Sequence, residues 1–303
     1  MTFIQPITFP AGNGKAARLF TVNAFANPLL CSKYFLAQGL FEKAELTKHP
    51  EIEEIVCASV GNFGVCVAYF AQRAGLHATI FLPKSTPERI KQLMFLMGAN
   101  VQCTPFEKLS SEVSPVATAY TAQSSARFLF NQLDLETCRD IYLEKIFKPL
   151  KKLLPIDGIL RPMRIFLPCG TGSLCMAGAA FLQEQPEEFH ELVAVSPFYD
   201  NTHSLQQLEM IAHINNRIKI HPLEYVSFDE ALYMLRSISP KTELPFGMIS
   251  SESLVAALRH LEHINPDQQI DLIPILTDGF VNSYLLDETN ISQPDTQPSQ
   301  LKM

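Results

Sequence analysis

The chain has 303 residues, 47% of them hydrophobic and 18% charged, so it is long enough for two α/β units and too apolar to remain disordered. A net charge of -7 argues against nucleic acid as a partner, because phosphate-backbone binders concentrate Lys and Arg to release counterions. Residues 159–169 are interrupted by arginine and residues 272–276 are too few to cross a bilayer, so no membrane is expected and the protein reads as cytoplasmic.

In chain order, residues 18–25 alternate like a strand, and Ser32 is expected to cap a helix in which Leu36, Leu40 and Ala44 recur at helical spacing. A strand at 55–59 follows, then the turn Gly61-Asn62-Phe63-Gly64, a helix at 65–74 closed by Gly75, and a strand at 78–82. Thr86-Pro87 opens a helix that Gly98 ends, and residues 100–103 form another strand. This βαβαβ rhythm, with strands apolar on both faces, calls for a doubly wound parallel sheet covered by helices. Residues 110–154 read as mostly helical. A second α/β unit then starts with a strand at 164–167, and further strands are expected at 192–195, 224–226 and 270–276, with helices at 228–236 and 253–262. Beyond Glu288 the chain is rich in Ser, Gln, Pro and Asn and is expected to be a disordered tail, 289–303.

The seven cysteines include no CxxC pair and read as small core residues. His260 and His263 have no third ligand nearby, so no metal site is expected. Two features carry chemistry. In Asn27-Pro28-Leu29-Leu30-Cys31-Ser32-Lys33 a lysine falls in the first turn of a helix after a strand and tight turn. There the positive helix terminus disfavours a second positive charge and pushes the amine toward its nucleophilic form, although a lysine so placed is also commonly a solvated surface residue. In Gly170-Thr171-Gly172-Ser173 a glycine-rich loop joins a buried strand to a helix, offering converging amides as a phosphate seat. A dinucleotide fingerprint would need a third glycine where Cys175 stands, so a phosphate monoester suits the loop better than a pyrophosphate.

These segments resemble the fold-type II pyridoxal-phosphate enzymes, the tryptophan synthase beta-like group that includes cysteine synthases, serine and threonine ammonia-lyases and threonine synthases. The resemblance implies two doubly wound α/β/α lobes with the cofactor, pyridoxal 5'-phosphate, in the cleft between them. It assigns residues 1–34 and 126–288 to a larger cofactor-binding domain and 35–125 to a smaller, mobile substrate domain. The spacing of Asn27-Pro28 to Lys33 matches the family's Schiff-base lysine motif, so Lys33 inherits the catalytic and cofactor-binding role. Asn62, in Val60-Gly61-Asn62-Phe63-Gly64, takes the position that bonds the cofactor's ring hydroxyl. Gly170, Thr171, Gly172 and Ser173 match the phosphate loop, and Gly247-Met248-Ile249-Ser250-Ser251 resembles a stretch lining the cofactor cleft.

Departures from the family pattern fall mainly on the substrate side. Substrate contacts are expected from Ser59, Gly61, Asn62 and Phe63, but two hydroxyl positions of the cysteine-synthase loop are Val60 and Phe63 here. Cys31 replaces a serine and Leu174 a threonine. The residue expected opposite the pyridine nitrogen falls on Gly279, which leaves Thr277 or Asp278 to serve instead, a neutral or an acidic partner. The implied activity is β-replacement or β-elimination on a small L-amino acid through an aminoacrylate, cysteine synthase-like, by a homodimer. A serine/threonine ammonia-lyase, a diverged cofactor-binding homologue with little turnover, and a nucleotide-dependent oxidoreductase are the alternatives.

Overall fold

The computed structural model describes residues 17–154, 161–185, 190–196, 218–239 and 245–283, together with the backbone of a short strand at 3–5. The expected tail at 289–303 lies outside the described residues.

Two sheets organise these residues. The smaller contains β4 (Glu54–Ala58), β5 (His77–Pro83), β6 (Ala99–Thr104) and β7 (Arg127–Phe130), in the order β6-β5-β4-β7 with all pairings parallel. Its helices include α2 (Asn62–Arg73), α3 (Glu88–Leu96) and α4 (Ser114–Thr121). Strand β7 lies inside the stretch expected to be helical. Its four residues Arg-Phe-Leu-Phe are too few to show a period, and pairing with β4 makes them a strand. That pairing also puts β7 with the small sheet, although the family resemblance assigns residues from 126 onward to the larger domain.

The larger sheet runs β1-β3-β12-β8-β9-β10, with β1 (Phe3–Gln5), β3 (Thr21–Asn23), β8 (Met163–Pro168), β9 (Glu191–Ser196), β10 (Lys219–Ile220) and β12 (Asp271–Leu276). Two short strands lie off that path, β2 (Arg18–Leu19) beside β12 and β11 (Glu224–Tyr225) beside β9. Every pairing is parallel except β1 with β3. The helices α1 (Lys33–Lys43), α5 (Leu135–Tyr142), α6 (Lys148–Lys151) and α7 (Ser173–Gln183) cover one face, and α8 (Phe228–Ser237) and α9 (Met248–His263) the other, with α10 (Phe280–Ser283) after β12. Strands β8, β9 and β12 are buried along nearly their whole length, as expected of a parallel sheet sandwiched by helices.

One apolar core joins the two sheets, running from Ile55, Val65 and Ile80 in the smaller to Val22, Ile165 and Leu192 in the larger, with Phe35, Leu36 and Ile141 between. Gly39 lets α1 and α5 approach closely, since a side-chain carbon there would collide with Ile141. The chain passes from β8 through α7 to β9 on one side, while β12 pairs with β8 on the other. The order therefore reverses between β8 and β12, the place where open parallel sheets form a crevice at their carboxyl ends.

At the opposite end of these strands lies a network of charges. Glu191 accepts from Arg164 and pairs with His221, at 2.8 Å, and Lys219. Arg164 also donates to His260 Nδ1 at 3.0 Å, which leaves the ring's proton on Nε2, 2.9 Å from Glu224. His260, which has no third metal ligand in sequence, is thus held as a hydrogen-bonding residue under the sheet.

Candidate active site

Three neighbouring strands of the large sheet, β3, β12 and β8, lead at their carboxyl ends to Lys33, to Thr277-Asp278 and to Gly170–Ser173, while β4 of the small sheet leads to Asn62. Adjacency in the sheet therefore gathers segments that are far apart in sequence.

The turn before Lys33 is built by Asn27. Its side-chain oxygen accepts from the amides of Leu29 (3.1 Å) and Cys31 (3.4 Å), and its amide nitrogen donates to the Cys31 carbonyl (2.9 Å). Leu30 takes a left-handed φ of 51°, a conformation disfavoured for a leucine, and is fixed there by tertiary hydrogen bonds. The amide of Gly279 donates to the Leu30 carbonyl at 2.8 Å, Asn282 donates to the same oxygen, and the amide of Ser32 donates to the Thr277 carbonyl at 2.7 Å. Cys31 and Asp278 form an isolated antiparallel bridge. Ser32 does stand at the helix N-cap position, but its backbone is already helical and its side chain makes no capping bond; its amide bonds the Thr277 carbonyl instead. The expected cap is thus replaced by a tertiary contact.

Lys33 begins α1, and burial pulls its amine below the ordinary lysine range, with Cys138, Cys31 and Cys66 acting in the opposite direction. The first cause is desolvation, not the helix terminus expected from the sequence. Its Nζ lies 5.8 Å from the centre of the Tyr142 ring. The Cys31 and Cys66 sulfurs are 3.5 Å apart, so the lysine loop packs directly on α2.

Asn62 is the first residue of α2 and is half-buried, with no side-chain hydrogen bond among the described residues. Ser59 is turned inward. Its hydroxyl accepts from the amides of Gly64 (2.9 Å) and Gly61 (3.3 Å) and lies 3.2 Å from the Gly61 carbonyl, so it holds the turn. Phe63 is buried in the core, leaving only its backbone at the turn, whereas Val60 is 42% exposed. Of the four expected substrate contacts, Asn62 alone offers a free polar side chain.

Gly170 to Ser173 join β8 to α7. Gly172 has φ 88°, the left-handed turn that glycine adopts without steric cost, and it heads a helix whose N-terminus no side chain caps. Helices α5 and α8, by contrast, are capped by Asp134 and Ser227. The Thr171 and Ser173 hydroxyls are 3.2 Å apart. A β-carbon added at Gly170 would meet nothing within 4 Å, so the loop faces open space. An uncapped helix N-terminus under an open glycine loop, beside a desolvated amine, fits a phosphorylated aldehyde such as pyridoxal phosphate.

The two candidates after β12 have different fates. Asp278 is buried, and its carboxylate accepts from the amide (2.7 Å) and hydroxyl (2.6 Å) of Ser250 and from the amide of Ile249 (3.3 Å). Burial pushes its pKa up to about 6, with Ser250 and Ile249 holding it back. It serves as the cap of α9, which is why that helix starts at Met248, five residues before its expected start at Ser253. Ser250 also accepts from the Thr277 and Asp278 amides, so it ties the helix to the strand end. The Thr277 hydroxyl has no partner among the described residues. Glu252 lies buried nearby; burial, then the Asp278 charge, raises its pKa well above the carboxylate range. Tyr142 and Cys138 carry no signal in the sequence, because each reaches the site through tertiary packing, whereas Ser250 lies in the Gly247–Ser251 stretch that resembles a cleft lining.

Two largely parallel sheets covered by helices, a half-buried lysine at a helix start and a glycine loop heading an uncapped helix define the architecture of a cofactor-dependent enzyme of the fold-type II class. Residues 10–273 match the family model for "Pyridoxal-phosphate dependent enzyme", and the chain belongs to that family, whose cofactor is pyridoxal phosphate. In solved structures, the fold is shared with an O-acetylserine dependent cystathionine beta-synthase from Helicobacter pylori, with a TM-score of 0.75 and 18% identity over 95% of this chain and 94% of that one. It is also shared with an O-ureido-L-serine synthase, at TM-score 0.74 and 16% identity over 96% and 92% of the two chains. Among curated proteins, the biosynthetic L-threonine dehydratase IlvA of Staphylococcus saprophyticus is 28% identical over 147 residues, 47% of this chain and 33% of that protein. The corresponding enzyme of Lactococcus lactis is 27% identical over 153 residues, 50% of this chain and 36% of that protein. The matched region thus spans about a third of these curated relatives.

Proposed function

We propose that this chain carries out β-replacement or β-elimination on a small L-amino acid, with Lys33 as the residue that bonds pyridoxal phosphate. The observation that supports this most is the desolvated Lys33 amine at the strand ends that also present the Gly170 loop and Thr277. A lysine whose amine gives up its proton more readily than usual is competent both to bond an aldehyde and to take a proton.

In this reading the amides of the Gly170–Ser173 loop and the start of α7 hold the phosphate, and the Asn62 carboxamide meets the ring hydroxyl. Thr277 would be the partner for the ring nitrogen, because the carboxylate of Asp278 is taken by α9. When bound, the cofactor supplies an electron sink for the electrons left at the amino acid's Cα. Once displaced from the cofactor by the incoming amino group, the Lys33 amine would take the Cα proton, and the β-substituent would leave with its bonding electrons. A neutral hydroxyl at the ring nitrogen keeps that sink moderate, which suits loss of a β-substituent whose departure itself takes up the electrons. The substrate carboxylate would be bound by the Phe63 backbone amide with Asn62, since Ser59 and the Gly61 amide are engaged with each other. A cytoplasmic homodimer is the assembly the family resemblance implies, and light scattering reads it directly.

The test is absorption spectroscopy of the purified protein with added pyridoxal phosphate. The wild type gains the visible band of a lysine-bound cofactor and Lys33→Ala does not; a wild type without the band, or a variant that keeps it, ends the proposal. Incubation with O-acetylserine or serine, with and without sulfide, then separates replacement from elimination. A second reading, an ammonia-lyase, is favoured by the likeness to L-threonine dehydratases, and it yields a keto acid and ammonia whether or not sulfide is present.

A further inference from the structure

Tyr142 is a fully buried tyrosine to which the proposed function gives no role. It ends α5, and its ring faces the amine of Lys33, at 5.8 Å from the ring centre. Cys138 lies one turn earlier on the same face of α5, and Gly39 allows the close packing that brings this face against α1.

We infer that Tyr142 is a positioning residue for Lys33: its ring face supports the ammonium that forms when the lysine takes up a proton. The groups acting on the amine are the thiols of Cys31 from its own loop, Cys66 from α2 and Cys138 from α5, together with the Tyr142 ring; no carboxylate acts on it among the described residues. With no carboxylate acting on the amine among the described residues, the negative face of the Tyr142 ring supplies electrostatic support for a cation there. Burial alone biases the lysine toward its neutral form. The ring moderates that bias, so the residue can alternate between its two forms. This role rests on Lys33 being the lysine that works in the site.

The test uses cofactor-free protein and follows carbamylation of Lys33 by cyanate as a function of pH, quantified by peptide mass spectrometry, since only the neutral amine reacts. Tyr142→Phe keeps the ring and leaves the midpoint where it is in the wild type. Tyr142→Leu lowers it by about half a pH unit, the shift expected from loss of one cation–π contact. Because leucine leaves a void that could unfold the protein, Tyr142→pentafluorophenylalanine gives the decisive comparison with Phe: the shape is kept, the ring's quadrupole is reversed, and the midpoint falls at least as far as with Leu. Midpoints that coincide for Phe and the fluorinated residue, or a Phe variant that moves as far as Leu, overturn the inference. Failure of the wild type to acquire the cofactor band would instead overturn the proposed function and leave this result standing.

Discussion

Gly247 offers a sharp test of how the site is assembled. Its backbone, at φ -94° and ψ -169°, is one that alanine adopts freely, so any cost of Gly247→Ala comes from contacts alone. A β-carbon there would fall far inside contact distance of the Asp278 carboxylate, and 2.6 Å from both the Asp278 Cγ and the Gly279 carbonyl oxygen. None of these can swing aside: Asp278 is fixed by Ser250 and Ile249, and Gly279 is hydrogen-bonded to Leu30. Overpacking of this kind costs about 1–3 kcal/mol, and dislodging Asp278 removes a helix cap worth about 1 kcal/mol. We expect a total loss of about 2–4 kcal/mol in urea unfolding of the cofactor-free protein, and weaker cofactor capture, because the same shift disturbs the strand end that holds the lysine loop. Gly170→Ala is the control: with open space above it, stability changes by less than about 0.5 kcal/mol. If Gly247→Ala is as stable as that control, Asp278 is not the rigid cap described above.

Other expectations concern charge. The Asp278 carboxyl has a folded pKa of about 6 against an ordinary value of 3.8, so between these values the folded state holds more protons than the unfolded one. Stability attributable to this group therefore falls as pH rises from about 4 to 6, by about 3 kcal/mol at most; Asp278→Asn should flatten that segment of the stability–pH curve, and an unchanged slope would discount the buried charge. Glu191 has the opposite sign. Burial works against its ionised form, but His221 and Arg164 outweigh it and hold the pKa at about 2, so its contribution is present above about 4.5 and lost as pH falls toward 2. Glu191→Gln strands Arg164 and His221 and should cost about 3 kcal/mol at neutral pH, seen in the urea midpoint; a loss below about 1 kcal/mol would show that the network is more solvated than the structure describes. Finally, Thr277→Val should weaken pyridoxal phosphate retention about fivefold in equilibrium dialysis, the value of one lost hydrogen bond, with stability little changed. Equal retention by the two proteins would remove Thr277 from the cofactor's surroundings.

What can be read from the sequence is mostly local. Glycines, prolines and runs of β-branched residues mark most of the strands and helices to within a few residues, because in a buried parallel sheet turn chemistry and apolar runs coincide. Strand β7 escapes because Phe128, Leu129 and Phe130 sit among helix formers and only pairing with β4 decides their state. The start of α9 is misread for a related reason: Ser250 and Ser251 look like a local cap, but the cap comes from Asp278, 28 residues beyond Ser250. The same distance effect separates Lys33, whose spacing from Asn27-Pro28 is a short motif, from Tyr142 and the thiols around it, which no short motif could reveal. Ser59 shows the limit most clearly, since hydroxyls available to a ligand and hydroxyls spent on a turn look alike in sequence.

The bridge between Cys31 and Asp278, and the bond from Asn282 to the Leu30 carbonyl 252 residues earlier, have a consequence for biosynthesis. During translation the lysine segment leaves the ribosome long before the strand end that fixes its geometry. Leu30 has no reason to hold a left-handed backbone until that partner arrives. A nascent or prematurely terminated chain thus possesses Lys33 but not the scaffold around it, so the geometry of the lysine turn is set only after residues 278–282 have been made.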